Sequence, residues 1–523
     1  MGKIFGSLAK SLYLCITLLR NIKYNMTHPE WAVKYRRPGT ELRLINGCYC
    51  LYECHCVYDK EKKRGVKKTG RYLGSITEEG GFKESRKRLA ERELEQARES
   101  SKTSEAVSQV HDAVVGESKE LGLSRFVSSC LQDYIAKLKE GFPDDWERIM
   151  ALAYCRLREQ SPLKAVASVF GDSYLSVENK VRGLSPNALS GFYHDLGTRR
   201  PQILAFLRKF CQEDTGVIFD GTDILSASKR MDLPRLSKVK SGGFDMATNI
   251  MFGYSLAAGL ANYYRLLPGS IKDVKAFKIC AQEYGCTNMT AIVDKGFQSD
   301  ENIEFIDSME GVSVIMALRR NTKGLDYTPF ANRDNKGALG HFWYSGRVIW
   351  YHKQEAYGHT VYLYLDEKRR VEEQEDYLAK VDDPENDHYT MESYNEHVMQ
   401  FGTIALLVTQ EKSAQDTYYA YKSRGEVEQS IDVFKNTLEA DTSYMQTEQA
   451  LETWMFINMV AMHWYCELRQ RMVDSKLIEK YSPKDMIRVM GRLRSVYVNG
   501  KWHTTEITAK EQRLLTAIGV DIT

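Results

Sequence analysis

Residues 215–224, TGVIFDGTDI, set three apolar residues, Val217 to Phe219, directly against an acid, Asp220. A run this short, rich in β-branched and aromatic side chains, reads as a buried strand. Upstream the pattern is helical, as in DDWERIMALAYCRLRE and RPQILAFLRKFCQE, so the grammar changes at residue 213. Downstream, NIMFGYSLAAGLANYYRLLPGS reads as two adjacent strands turning near Gly259, and Ser270 with Asp273 resembles a capping box for the helix DVKAFKICAQEY. MTAIVDKGF is a further strand that stops at Asp294, Ser299 caps DENIEFIDSM, and VSVIMALRR is a fifth strand. Strands followed by alternating helix and strand predict an α/β layer with a mixed sheet.

Working outward gives the domain plan. Residues 106–212 form a helical domain and 213–320 the first part of the α/β core. Residues 321–405, with the aromatic alternation of HFWYSGRVIWYHKQEAYGHTVYLYLDEKRR, form a β-rich insertion. The core resumes near TIALLVTQ and ends in long C-terminal helices over 406–523. Residues 1–105 form a small basic β unit followed by a charged helix or linker that lacks an apolar stripe.

Composition bounds the rest. A chain of 523 residues, 43% hydrophobic and 27% charged, is long enough for several packed cores and is not disordered. The net charge of +2 says little, but seven cations between Lys60 and Arg71 face one anion, Glu61. Lys62, Lys63, Arg64, Lys67 and Lys68 are therefore candidate phosphate contacts on a basic hairpin loop. The eleven cysteines include Cys48, Cys50, Cys54 and Cys56 in CYCLYECHC, spaced for one face of a strand rather than for a zinc knuckle. We expect a buried face of reduced thiols and a cytoplasmic, nucleoid-associated protein. No apolar run reaches membrane-spanning length. The opening residues lack a cleavage site, and initiation at Met26 would remove them. There is no GxxxxGK[ST], HExxH or GxSxG, so no nucleotide cofactor is expected.

Asp220 and Asp294 each end a predicted core strand, where carboxylates can converge on Mg²⁺. Asp223 competes with Asp220, which is preferred because it directly ends the apolar run. A third acid comes from YKSRGEVEQSIDVFK, residues 421–435. On a single helix Tyr421, Arg424, Glu428 and Lys435 stay within roughly 60° of arc, beside an apolar stripe of Val427, Ile431, Phe434 and Leu438. Glu428 then faces the metal, Arg424 and Lys435 face phosphates, and Tyr421 donates a hydrogen bond. Taken alone, each has a plain structural reading: a strand-end Asp starts a turn, and Arg424 with Glu428 is a surface i, i+4 pair.

Tyr-x2-Arg-x3-Glu-x6-Lys resembles the motif of bacterial insertion-sequence transposases of the DDE type. FDGTDI and VDKGFQSDENI resemble the blocks around that group's two aspartates, and the similarity covers about 213–470. The resemblance implies an RNase H-like core interrupted by a β-rich insertion, with Asp220, Asp294 and Glu428 as catalytic metal ligands. It implies two Mg²⁺ ions, with Mn²⁺ able to substitute, Asp220 bridging them, and in-line attack on phosphodiesters. The implied partners are double-stranded DNA, as terminal inverted repeats and as target, and a second copy of the chain in the paired-end complex. The implied activity is cut-and-paste movement, with end cleavage and joining of 3′ ends. Trp343 or Trp350 is the candidate for stacking a flipped base. The alternatives are an RNase H-like nuclease that cuts without joining and a non-catalytic DNA-binding descendant. A zinc function of the cysteine cluster is a distant third.

Overall fold

The computed structural model describes residues 28–59, 64–85, 117–210, 216–238, 243–269, 271, 273–285, 289–309, 311–331, 337–383, 386 and 388–522. Two compact units divide at Val115 and Gly116.

In the first unit, helix α1 (Glu30–Val33) accompanies an antiparallel sheet of β1 (Thr40–Ile45), β2 (Cys48–Asp59), β3 (Arg64–Thr77) and β4 (Gly81–Glu84) in sequence order. Its core is small: Ala32, Leu42, Leu51, Leu73 and Ile76, with Trp31, Tyr49 and Phe82 packed against them. That core corrects the expectation for the thiols. Alternation puts Tyr49 and Leu51 inward, which turns the cysteines away from the core; Cys48 and Cys56 are exposed and Cys50 and Cys54 half-buried. Lys67 and Lys68 lie in β3, opposite Cys56 and His55, rather than in a loop. Lys62, Lys63 and the side chain of Arg64 lie outside the described residues, as does residue 86–105 of the expected linker.

The second unit opens with β5 (Ser118–Glu120) and helices α2 (Gln132–Gly141), α3 (Trp146–Glu159), α4 (Pro186–Gly197) and α5 (Arg200–Leu207). Strands β6 (Gly216–Ser226), β7 (Arg235–Lys238), β8 (Phe244–Ser255) and β9 (Leu260–Pro268) follow, then α6 (Asp273–Tyr284), β10 (Met289–Val293), α7 (Asp300–Asp307) and β11 (Val312–Leu318). Next come β12 (Gly340–Tyr344), β13 (Arg347–Ala356), β14 (His359–Asp366), α8 (Glu367–Val381), α9 (Met391–His397) and β15 (Thr403–Val408). The chain ends with α10 (Ala414–Lys422), α11 (Arg424–Asp432), β16 (Thr442–Ser443), α12 (Glu448–Asp474), α13 (Pro483–Arg492), β17 (Arg494–Val498), β18 (Lys501–Thr504) and α14 (Ala509–Ala517).

The large sheet is mixed, in the order β12-β13-β14-β15-β11-β10-β6-β8-β7, with β9 also on β8 and β16 on β6. β6, β10 and β11 run parallel, β8 and β9 antiparallel to their neighbours. The turn between β8 and β9 ends at Gly259, whose φ of +63° suits glycine. Ser299 caps α7 by accepting from the Asn302 amide, as expected, whereas Ser270 lies outside the described residues.

The strands within 321–405 join the core sheet: β14 pairs with β15, and β15 with β11, so β12–β14 lengthen it. The helices of 117–210 share one apolar core with the C-terminal helices, and β5 pairs with β17. Helix α12 is apolar on nearly every side and runs buried through that core.

The two sheet faces are distinct. Val217, Phe219, Met251 and Val293 pack on the side of α6 and α7. Ile218, Ile224, Phe252 and Ile292 pack on the side of Val427, Phe434 and α12.

Candidate active site

Asp220 does not end its strand. β6 continues to Ser226 because β8 pairs with it throughout, from Val217 with Ser255 to Leu225 with Ala247. What stops there is the other neighbour: the parallel ladder with β10 closes at Phe219 and Val293. Asp220, still within β6, and Asp294, just past the end of β10, are the next residues, and β16 joins β6 only from Leu225. The edge of β6 between these two partners is therefore open beside Asp220. Alternation puts Asp220 and Asp294 on the face of Ile218 and Ile292, toward α11, and sends Asp223 to the other face.

The quoted helix is not one regular helix. It breaks at Ser423, between α10 and α11, where the Glu426 amide bonds the Ser423 carbonyl at 3.0 Å, and Gly425 follows. Residues Val433–Thr437 then form a π-helical turn. The apolar stripe survives, with Val427, Phe434 and Leu438 fully buried and Ile431 packed beside them. The polar stripe survives only in part. Tyr421, Arg424 and Glu428 meet the aspartates, while Lys435 sits half-buried on the wider turn, outside the lining of the cleft described below.

Arg424 is the centre of the site. Its Nη1 lies 2.9 Å from Asp294 Oδ1, and its Nη2 lies 3.9 Å from Asp220 Oδ1 and 3.7 Å from Glu428 Oε1. Nη1 also donates to the Tyr421 hydroxyl at 2.9 Å, which in turn donates to Asp294 Oδ1 at 3.0 Å. Burial works against the Arg424 charge, but Tyr421, Asp294 and Asp220 outweigh it and hold its pKa above the ordinary value. Burial raises the Tyr421 pKa, and the Asp294 carboxylate adds to the rise, so the phenol stays protonated as a donor. The acids are graded in exposure: the Asp220 side chain is 17% exposed, Asp294 31% and Glu428 64%. Among the described residues no group of three or more His, Cys, Asp or Glu side chains is close enough to hold an ion directly. The three acids meet through the guanidinium instead.

The site opens on a cleft of about 990 Å³. Its walls carry Lys295, Arg319, Arg320, Arg369, Lys422 and Arg424 against Asp294, Glu373 and Glu428. Glu373 takes up Arg320 and Arg369, and Arg320 also donates to the Thr403 carbonyl. Lys422 is different: burial, then the neighbouring Arg369, lower its pKa, with only Asp366 pulling the other way. Arg319 and Lys422 were missed from the sequence. The signal was there, since Arg319 follows the fully buried β11 much as Asp294 follows β10. Trp343, on the edge strand β12, is 62% exposed, and Trp350 is half-buried against His341. On the first unit, Lys67 pairs with Glu41.

Fold and site define a mixed α/β protein with an acid-rich site, where the β6–β10 ladder closes, at a cleft lined by cations. Residues 212–464 match the model of a family described as the transposase DDE domain. That span, just under half of the chain, contains Asp220, Asp294, Tyr421, Arg424, Glu428 and Lys435. Among solved structures the chain is similar to a piggyBac transposase in a cryo-EM synaptic complex with hairpin DNA, at 11% identity and a TM-score of 0.35, over 71% of this chain and 79% of that one. No curated protein sequence matches. Among the described residues, no helix is long and apolar enough to cross a membrane.

Proposed function

We propose that the chain is a DNA transposase of the DDE type, built on an RNase H-like core, from a bacterial insertion sequence. It binds the terminal inverted repeats of its own element, cuts the ends and joins 3′ ends to target DNA, as a homodimer when two ends are paired. The observation that carries this reading is the convergence of Asp220, Asp294 and Glu428 on Arg424 at a cation-lined cleft. The match of residues 212–464 to the transposase DDE domain supports it.

The donor chemistry suits Mg²⁺, with Mn²⁺ as a substitute: three carboxylates are hard oxygen ligands, which would have to draw closer and displace Arg424 to hold an ion directly. Bound there, two such ions would supply an activated attacking oxygen and charge stabilisation for the leaving oxygen. The chain's own residues do the rest. Adjacent strands hold Asp220 and Asp294 at one level, and α11 brings Glu428 across from an exposed position. Tyr421 fixes the Asp294 carboxylate by a hydrogen bond. Lys295, Arg319, Lys422 and Arg424 draw the phosphodiester backbone into the cleft, with Lys435 on the same helical segment as a further phosphate contact. Lys62, Lys63, Arg64, Lys67 and Lys68 of the N-terminal β unit contact duplex DNA.

The test uses the full chain, a duplex carrying the DNA end that flanks the gene, and a target plasmid. In Mg²⁺ the wild type is expected to cut the end and to give joined product. Asp294→Asn and Glu428→Gln are expected to shift the duplex in a gel and to give neither product. Cutting by either variant would overturn the assignment, and cutting without joining would point to a nuclease.

A further inference from the structure

We propose that the paired strand β7 and outer half of β8 form a duplex-DNA contact that lays its apolar face in a groove and wedges Phe244 between base pairs. This rests on the transposase reading and adds a surface to it.

The sheet face that carries Asp220 continues along β8. Asp220 pairs with Phe252, and Phe252, Ile250, Thr248, Met246 and Phe244 alternate onto the same side. As far as Thr248 that side is buried, with Ile250 and Phe252 under the core that includes Val427 and Phe434. Beyond it the cover ends. Leu236, paired with Met246, is 66% exposed; Met246 is 38% and Phe244 71% exposed. Three large apolar side chains thus sit together on a two-stranded ribbon, a grouping that marks a contact surface rather than scattered exposure.

Position and charge choose the occupant. At about 3.4 Å per residue, Met246 and Phe244 lie roughly 20 and 27 Å along β8 from the level of Asp220. A duplex rising about 3.4 Å per base pair covers that span in roughly six to eight steps, so DNA with a phosphate at the acids reaches the ribbon. Residues 227–246 hold five cations, Lys229, Arg230, Arg235, Lys238 and Lys240, and two anions, Asp232 and Asp245. Lys229, Arg230 and Arg235 are exposed. The Asp245 carboxylate accepts from the Met246 amide, on the strand position that alternates away from Phe244 and Met246. A β-ribbon with Phe, Leu and Met flanked by Lys and Arg has the chemistry of proteins that unstack and bend a duplex from its groove.

The experiment measures affinity and bending on circularly permuted fragments carrying the DNA end that flanks the gene, with the full chain. The wild type is expected to bind and bend them. Leu236→Ser with Phe244→Ser is expected to lose about tenfold in affinity and most of the bend. Phe244→Leu should recover affinity with a smaller bend. Lys229→Gln with Arg230→Gln should bind with a shallower salt dependence. The Ser variants alter exposed positions, and circular dichroism checks that they fold. Unchanged affinity and bend in the double Ser variant would overturn the proposal. So would a change in sedimentation with DNA affinity unaltered, since a second copy would then cover the face. Plasmid nicking by the wild type, lost in Glu428→Gln, is read in parallel, so a failed transposase reading is seen separately.

Discussion

Asp220 and Asp294 each stand one residue past the pair Phe219 and Val293, where the parallel ladder between β6 and β10 closes. Backbone pairing alone therefore fixes two carboxylates at one level and on one face. The third acid has no such anchor. Glu428 hangs from a helix on the far side of Arg424, 64% exposed, and the guanidinium is what draws it in. The site is two acids set by strand pairing and one carried on a helix, held by a single cation.

Arg424 should compete with divalent ions for the same oxygens. The guanidinium lies 2.9 Å from Asp294 and 3.7 to 3.9 Å from Glu428 and Asp220, and because these acids are partly exposed, solvent screening leaves about 1 kcal/mol to compete with an ion. We expect Arg424→Gln, without DNA, to bind Mn²⁺ about three- to tenfold more tightly than the wild type, read by electron paramagnetic resonance of free Mn²⁺. The same variant should bind duplex more weakly. Weaker Mn²⁺ binding would mean that Arg424 organises the acids instead of competing for them.

Tyr421 is 7% exposed and spends its hydroxyl on Asp294 and Arg424 together. Removing the oxygen leaves a buried guanidinium nitrogen with one acceptor fewer. Tyr421→Phe is expected to cost about 1 kcal/mol in urea unfolding and to slow end cleavage about tenfold, with duplex affinity near the wild type. A stability loss without any loss of cleavage would confine the residue to packing.

Much of this architecture is legible in the sequence, for reasons that differ by residue. The strand pair around Gly259 follows from two apolar runs and a turn, and Ser299 from its cap position. Asp220 over Asp223 was chosen because it closes the run Val217 to Phe219; the better reason is that period-two alternation sends the two to opposite faces. The extension of β6 past Asp220 was not legible, because Gly221, Thr222 and Asp223 read as a turn until β8 pairs with them. Alternation groups the thiols of β2 on one face but cannot say which face is covered; Tyr49 and Leu51 against Ala32 and Trp31 settle that. A helical wheel assumes one pitch, so the break at Ser423 and the π-helical turn at Val433–Thr437 displace Lys435 from the stripe that the wheel gave it. The cations Arg319 and Lys422 join the cleft only once β11, β15 and α10 meet.

Gly197 ends α4 against the start of α12, and a Cβ there would lie 1.8 Å from the Gln449 carbonyl oxygen. The obstacle is backbone, so no rotamer relieves it. Gly197→Ala must push apart two helices of the main core, and we expect a loss of about 2 to 3 kcal/mol, seen as a lower urea midpoint with an unchanged m-value. A midpoint within error of the wild type would show that the helix ends yield freely.

His463 gives the chain an acid sensitivity of its own. It is 2% exposed on α12; its Nε2 donates to the Ala261 carbonyl at 2.6 Å, and its Nδ1 takes the Tyr134 hydroxyl at 2.9 Å. Burial pushes its pKa down from 6.5 to about 4. Below 6.5 the unfolded chain takes up a proton that the folded imidazole refuses, so the unfolded state binds more protons and stability falls as the pH is lowered. The loss builds between pH 6.5 and about 4 and amounts to something on the order of 3 kcal/mol when complete. Glu283, held at about 2 against burial by Arg200, Tyr263 and Arg265, loses its contribution only at lower pH. His463→Gln keeps a donor and an acceptor but cannot charge. Urea unfolding from pH 7 to 4.5 should therefore decline less steeply in the variant, and parallel declines would show that His463 keeps its usual pKa when folded.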